Sequence, residues 1–176
     1  MKLICLVFGL YCSAFFSDSG IYDLKVQTLE GKTISFSALH GKKIVIAEFS
    51  AGVPDNNFLQ TLESLKQGTK NLYLIAVPAL DFSDATSIES LLKLKTTLKL
   101  SFDITEPAMI KKNGSGKQSV LFKWLTHASD NKHFDVDIDS DQQLYVINEK
   151  GTLYSMIGKG TEKKMIKEVI VQKMDE

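Results

Sequence analysis

The sequence contains one dense group of side chains that could bind a metal, four aspartates at alternate positions toward its C-terminal end. The four are Asp135, Asp137, Asp139 and Asp141. Carboxylate oxygens at such positions are typical of calcium loops. The calcium-loop pattern is not met, because Ser140 occupies the glycine position and Val146 the position of the final glutamate. We therefore favour an edge strand with the four carboxylates on one solvated face over a calcium site.

Thiol chemistry in this chain depends on its two cysteines, Cys5 and Cys12. Both lie in an apolar N-terminal segment that has the pattern of a leader. If this segment is removed, the mature protein can form no disulfide and bind no metal through sulfur. It also has no thiolate with which to run a redox cycle.

Two further polar stretches could hold a ligand. His127 and His133 flank residues 129–132 and could bind zinc, but no further ligand is close in the sequence. We therefore interpret them as loop histidines. Residues 111–117 are rich in glycine and lysine, yet they lack the spacing of a phosphate-binding loop. The sequence predicts exposed loops here, and neither a metal nor a cofactor.

Composition narrows the class of partner. The chain has 176 residues, of which 44% are hydrophobic and 24% charged, as expected of one globular domain. Lysine and arginine together balance aspartate and glutamate at 21 each, and every basic residue is a lysine. A neutral chain without a guanidinium group has little to attract nucleic acid or an anionic membrane. The expected partner is therefore an unknown protein or small molecule, and not a nucleic acid.

The N-terminus predicts export. Lys2 supplies a positive start, and residues 3–16 form an uncharged run that is shorter than the roughly 20 residues of a membrane-spanning helix. We predict a signal peptide over residues 1–19, with an uncertain cleavage site, and a single domain over residues 20–176. The mature protein is then periplasmic or secreted, without stable insertion in a membrane.

Apolar runs alternate with amphipathic stretches along the mature chain, which is typical of an α/β domain. Predicted strands are 24–29 and 33–36 in one hairpin, 43–49, 72–77 closed by Pro78, and 144–147 and 152–157 in a second hairpin. Predicted helices are 57–66, 87–98 with Ile88 on its apolar face, 119–126 with Trp124 packed on the sheet, and a last helix capped by Thr161 with Met165 facing inward.

Several segments in this order resemble the glutathione peroxidase family. The residues are Ile21 to Leu24, Glu30-Gly31-Lys32, His40-Gly41-Lys42, Gly52 with Asn57 and Phe58, Ala76-Val77-Pro78, Leu121 to Leu125, and Tyr145 to Gly151. Their order and spacing cover essentially the whole mature chain. The resemblance implies a thioredoxin-like fold of the glutathione peroxidase type, in which a mixed central sheet carries helices on both faces.

The resemblance also implies where the family's catalytic groups would lie. Family members use a cysteine or selenocysteine that attacks the O–O bond, supported by a glutamine, a tryptophan and an asparagine. The nucleophile position falls on Ala51, immediately before Gly52. The glutamine position falls near Asp81, and the tryptophan and asparagine positions fall near Ser140 and Asp141. None of the four family residues is retained, so a conventional thiol peroxidase cycle is not expected.

These observations favour an exported glutathione-peroxidase-like protein that has lost catalysis and has a binding or structural role. A first alternative is a peroxidase or other oxidoreductase of the oxidative stress response that uses unrecognised groups. Ser50 does not replace the thiolate, because an alcohol needs an adjacent base and is not a two-electron reductant. A second alternative is a calcium-binding module at residues 135–141.

Overall fold

The central strand of the fold is an uninterrupted run of buried residues. In the computed structural model, which describes residues 20–83 and 86–172, β3 (Lys43–Ser50) is buried along its whole length. β4 (Leu72–Ala79) lies parallel to it in a register that runs from Lys43 opposite Leu72 to Ser50 opposite Ala79. The β-branched residues of these strands fit a sheet that is covered on both faces. The predicted signal peptide lies outside the described residues.

The main sheet has five strands in the order β5-β4-β3-β6-β7. β6 (Leu144–Ile147) is antiparallel to β3 and forms a hairpin with β7 (Leu153–Ile157), so the sheet is mixed as predicted. β5 (Asp103–Ile104) is a short parallel edge strand. The predicted first hairpin is also present, as the separate pair β1 (Lys25–Gln27) and β2 (Thr33–Ser35).

Alternation along β3 divides the core between the two faces of the sheet. Ile44 and Ile46 point to one face, where they pack with Trp124 of α3 (Val120–Thr126). Val45 and Ala47 point to the other face. The helices on that face are α1 (Asn56–Gln67), α2 (Ile88–Thr97) and α5 (Lys163–Val171). A short α4 (Ala128–Asn131) follows α3. This arrangement confirms the predicted α/β class with helices on both faces.

The first hairpin covers the edge of the sheet at β5. Leu29 donates its backbone N–H to the carbonyl of Ile104 at 2.9 Å, and Glu106 donates to the carbonyl of Gln27 at 3.0 Å. Short 3-10 helices precede and follow the hairpin, at Ile21–Asp23 and Phe36–Leu39. The outer side of β5 is therefore already occupied by the chain's own backbone.

Side-chain caps fix where several helices begin. Asp55 accepts hydrogen bonds from the backbone of Asn57 and Phe58 at the start of α1. Ser87 and Ser119 cap α2 and α3 in the same way. Each cap satisfies N–H groups that have no partner within the helix.

The structure corrects the predicted start of the last helix. α5 begins after Glu162, and Thr161 instead donates its hydroxyl to the carbonyl of Gly158 at 2.9 Å. Met165 is 55% exposed and Ile88 of α2 is 44% exposed, so neither faces the core. Leu91 in α2 and Ile166 and Ile170 in α5 supply the buried contacts of these helices.

Two strand predictions were also wrong. Pro78 lies within β4 and does not close it, because its nitrogen faces the side on which β5 has already ended. Its carbonyl still accepts the N–H of Ala108 at 2.9 Å. Residues 135–141 form no strand, since side-chain contacts described below hold this segment as a loop. In the part of the chain that the structure describes, no helix has the length and apolar character needed to cross a membrane.

Candidate functional site

The turn from β3 into α1 places Ala51 at the C-terminal end of the central strand. Ala51 is fully buried, and its N–H donates to the carbonyl of Ala79 at 3.0 Å, which extends the pairing of β3 with β4. The methyl group at this position can neither attack a substrate nor carry charge. The chemistry of the turn therefore depends on its neighbours.

The backbone after Ala51 is held by the chain itself. Gly52 donates its N–H to the hydroxyl oxygen of Ser83 at 2.7 Å, so this donor is already satisfied. Val53, the next residue, is 75% exposed and is the most exposed large hydrophobic side chain among the described residues. The turn thus exposes the apolar side chain of Val53 to solvent, next to the hydrogen bond between Gly52 and Ser83.

Asp81 supports a loop and does not face the turn. Its Oδ2 accepts the N–H of Ile110 at 2.5 Å and that of Lys111 at 3.4 Å. A Cβ at Gly114 would collide with Asp81 Oδ1, so a larger residue there would force the carboxylate to move. The position near which the resemblance placed the family's glutamine is therefore occupied by a structural anchor.

Ser140 and Asp141 lie in the segment that leads into β6. Asp141 forms an ion pair with Lys159 at 2.6 Å, and Ser140 accepts a long hydrogen bond of 3.5 Å from the side-chain amide of Gln143. The same ion pair raises the pKa of Lys159, because the amino group donates to a carboxylate. Asp141 and Ser140 thus bind nearby side chains, Lys159 and Gln143 respectively.

Glu48 is a buried acidic residue that the sequence analysis overlooked. It lies in β3 on the face of Ile44 and Ile46 and is fully buried. Its Oε1 accepts the backbone N–H of Gln143 at 2.9 Å, whereas Oε2 has no partner. Burial raises the pKa of Glu48 to about 8, with a further contribution from the Asp141 carboxylate. The hydrogen bonds from the backbone and the charge of Lys159 act in the opposite direction.

Ser50 adds a second buried oxygen on the same face of β3. It is 6% exposed, and its Oγ has no hydrogen-bond partner. Residues 48 and 50 of a strand point to the same side, so both oxygens lie just before Ala51. The signal for this pair was present in the sequence, because Glu48 is the one charged residue within an otherwise apolar run.

The four aspartates of residues 135–141 are engaged in contacts with other parts of the chain. Asp135 forms an ion pair with Lys112 that holds the pKa of its carboxyl below the ordinary value. Asp137 accepts backbone N–H groups from Lys112 and Ile138, both at 2.8 Å. Although burial alone would raise it, these hydrogen bonds keep the pKa of Asp137 low. Asp139 accepts a weak bond of 3.4 Å from the side-chain amide of Gln143.

No cluster of three or more metal-binding side chains is found in residues 20–83 and 86–172. His127 packs at the end of α3, where Nδ1 lies 2.9 Å from the carbonyl of Lys123. His133 is exposed and lies 6.4 Å from the ring centre of Phe134. The predicted loop at 111–117 is present, and Lys111 lies over the ring of Phe82 at 4.4 Å.

The order of strands and helices, with a turn at the carboxyl end of a central parallel strand, defines a thioredoxin-like fold. The crystal structure of T. cruzi GPX1 matches with a TM-score of 0.67 and 18% identity, over 87% of this chain and 95% of that one. The crystal structure of Trgpx in apo form matches with a TM-score of 0.66 and 15% identity, over 87% and 94%. A thioredoxin-family thiol:disulfide interchange protein of Chlorobium tepidum matches less well, with a TM-score of 0.60.

Sequence similarity points in the same direction. Glutathione peroxidase 1 of Caenorhabditis elegans is 28% identical over 164 residues, which is 89% of this chain and 99% of the relative. No family model matches the chain. The chain is thus homologous to a glutathione peroxidase along nearly its whole length, and its fold is glutathione-peroxidase-like. This confirms the resemblance and the fold class expected from the sequence.

Proposed function

We propose that this chain is an exported glutathione-peroxidase-like protein that does not reduce peroxides through a thiol and acts by binding a partner. The observation that carries the proposal is Ala51 at the β3–α1 turn, in a sequence whose two cysteines both precede residue 20. Thiol-dependent peroxide reduction needs a thiolate to attack the O–O bond. The described part of the chain contains no residue that can provide one.

The surroundings of Ala51 support loss of catalysis beyond a single substitution. The Gly52 N–H donates to Ser83, Asp81 anchors residues 110 and 111, and Asp141 is paired with Lys159. These groups serve the fold, and none of them is free to stabilise a negative charge that develops at the turn. The polar groups at these positions therefore stabilise the fold and do not stabilise an anionic nucleophile.

A binding role is supported by the exposed apolar side chain at the turn. Val53 is 75% exposed in the turn that follows the central strand, so a partner can reach it. A protein or a small molecule with an apolar group would contact Val53.

Export to a periplasm or extracellular space is supported by the leader pattern of residues 1–19.

Peroxide turnover tests the proposal directly. The natural protein in its mature form, without residues 1–19, and the Ala51→Cys variant of that form would be assayed with hydrogen peroxide and either glutathione or thioredoxin as reductant. Val53→Cys is the matched control, because it places a thiol in the same turn at a solvent-exposed position. We expect no turnover by the natural protein above a blank without protein.

The variants extend the result. Activity in Ala51→Cys, but not in Val53→Cys, would show that the scaffold is intact and that the nucleophile alone was missing. Inactivity in both would agree with the wider rearrangement at Asp81 and Asp141. Turnover by the natural protein would overturn the proposal and support an oxidoreductase that uses other groups.

Calcium binding at residues 135–141 is a weaker proposal. Asp135 and Asp137 already interact with Lys112, and Asp141 interacts with Lys159. A calcium ion would have to displace these contacts and their hydrogen bonds. Calorimetric titration with millimolar calcium would decide, since a binding heat lost in Asp137→Asn would favour the calcium module.

A further inference from the structure

Glu48 holds the segment before β6 through two hydrogen bonds to one residue. Its backbone N–H donates to the carbonyl of Gln143 at 3.1 Å, and its carboxyl Oε1 accepts the Gln143 N–H at 2.9 Å. The preceding Gln142 has a φ of 68°, in the left-handed region that disfavours residues other than glycine. A segment in a strained conformation is thus fixed by a buried carboxyl group.

The charged groups around Glu48 do not neutralise it. Lys159, the nearby cation, is paired with Asp141 at 2.6 Å. Tyr145 of β6 donates its hydroxyl to Gln143 Oε1 at 3.2 Å rather than to the carboxyl group. Asp55 at the start of α1 adds further negative charge beside Lys159. Glu48 Oε2 therefore has no partner among the described residues, and the polar groups around it already bind other residues.

We propose that Glu48 is a proton-dependent latch, which holds residues 140–143 against β3 while neutral and releases them when it ionises. In the neutral form, the carboxyl group is compatible with full burial and still accepts the Gln143 N–H. In the ionised form, a charge lies in the core near the Asp141 carboxylate, and Lys159, which is already paired with Asp141, offsets it only in part. The latch does not rest on the proposed function, because it concerns the fold of this segment alone.

Two effects compete when Glu48 loses its proton. The hydrogen bond from Gln143 becomes charge-assisted and therefore stronger, while the unsolvated Oε2 carries a charge that water cannot reach. Because Glu48 is fully buried and its Oε2 has no partner, burial outweighs the hydrogen bonds and raises the pKa to about 8. Movement of residues 140–143 lets water reach the carboxylate and lets Gln142 leave its strained conformation. Release therefore occurs in mildly alkaline solution.

Hydrogen–deuterium exchange of the purified natural protein tests the latch between pH 6 and 10. After correction for the intrinsic pH dependence of exchange, we expect protection of the Gln143 amide, which donates to Glu48, to fall about tenfold between pH 7 and 9. Amides of the buried strand β4 should stay more strongly protected than that of Gln143 at every pH, because they open only with the whole fold. Glu48→Gln should keep protection of the Gln143 amide throughout, because the glutamine side chain remains neutral and its oxygen still accepts the Gln143 N–H.

Asp139→Asn is the matched control, since it removes an exposed carboxylate next to residues 140–143 and keeps an oxygen that can accept from the Gln143 side chain. This variant should behave like the natural protein. An equal loss of protection in Glu48→Gln would overturn the latch, as would constant protection in the natural protein. A carbon-13 titration of the Glu48 carboxyl in the natural protein keeps the test independent of any variant's folding. An ordinary glutamate pKa in that titration would also overturn the proposal.

Discussion

Two buried glutamates show how the contacts of a residue decide its chemistry. Glu63 of α1 accepts hydrogen bonds from the backbone and hydroxyl of Ser101 and from the side-chain amide of Gln67, each at 2.7 Å. Although burial opposes this, these bonds hold the pKa of Glu63 below its ordinary value. Glu48 has one such bond and a raised pKa. Glu63 is thus a structural carboxylate, whereas Glu48 is a neutral acid near neutral pH.

Stability should therefore depend on pH through Glu48. Because folding raises the pKa of Glu48 from an ordinary value of 4.5 to about 8, the folded state holds this proton more tightly than the unfolded chain. This contribution to stability is complete below pH 4.5 and is lost as the pH rises to about 8. Glu48→Gln should remove the loss and raise the free energy of unfolding at pH 9 by about 2–5 kcal/mol.

Urea unfolding at pH 5, 7 and 9 measures this difference. The gain from Glu48→Gln should be smallest at pH 5 and largest at pH 9. Glu63→Gln serves as the control, because it removes a partnered carboxylate and should destabilise the protein at all three pH values. A Glu48→Gln variant with an unchanged pH profile would contradict the assignment of a neutral buried acid.

Asp81 allows a second prediction at this scale. Asp81→Ala should lower the free energy of unfolding by about 1–3 kcal/mol, because the N–H groups of Ile110 and Lys111 lose their acceptor. Asp81→Asn should cost less, since its amide oxygen still accepts. Urea unfolding with fluorescence detection gives both values. Equal stability of all three proteins would show that Asp81 does not anchor the loop.

At the scale of elements, long apolar patterns predicted the structure well. β3 and α1 were predicted from the apolar run in 43–49 and from the helical spacing of Phe58, Leu62 and Leu65. The structure buries Leu62 and Leu65 and leaves Phe58 partly buried. Residues 135–141 were predicted wrongly because alternation reports a strand only when one face packs on a core. Here Asp135 and Asp137 contact Lys112, which is distant in sequence, and a periodic pattern cannot reveal such a contact.

The candidate site was predicted in part. The resemblance placed Ala51 at the end of the central strand, and the structure puts it there. It could not show that Asp81 turns toward residues 110 and 111, because that depends on where the loop packs. Glu48 was not predicted as a site residue because the apolar residues around it in the sequence predict a buried strand. A single charge in such a run is itself a signal, since a buried charge needs compensation.

Helix caps give a prediction for α1. Asp55→Ala should lower the stability of the protein by about 0.5–2 kcal/mol, because the N–H groups of Asn57 and Phe58 lose their acceptor. Glu162→Ala is the matched control, since Glu162 stands at the same position of α5 and makes no capping hydrogen bond. Thermal unfolding should separate the two variants. Equal effects would contradict a capping role for Asp55.

At the scale of the whole molecule, export and the absence of thiols are linked. If residues 1–19 are removed, the mature protein loses Cys5 and Cys12 together and contains no sulfhydryl group. Intact mass spectrometry of protein recovered from the exported fraction should show loss of the leader and no mass increase after maleimide treatment under denaturing conditions. A labelled product would show that a cysteine is retained and would weaken the proposed loss of thiol chemistry.

The hairpin that covers β5 has a consequence for self-association. The open side of an edge strand is where a second chain can add by backbone hydrogen bonding, and such addition starts many fibrils. At β5 this side is filled by the backbone of Gln27 and Leu29, and the strand itself is two residues long. While the hairpin stays in place, growth of an intermolecular sheet has to begin elsewhere in the molecule. Loosening of the hairpin would therefore be a first step toward aggregation at this edge.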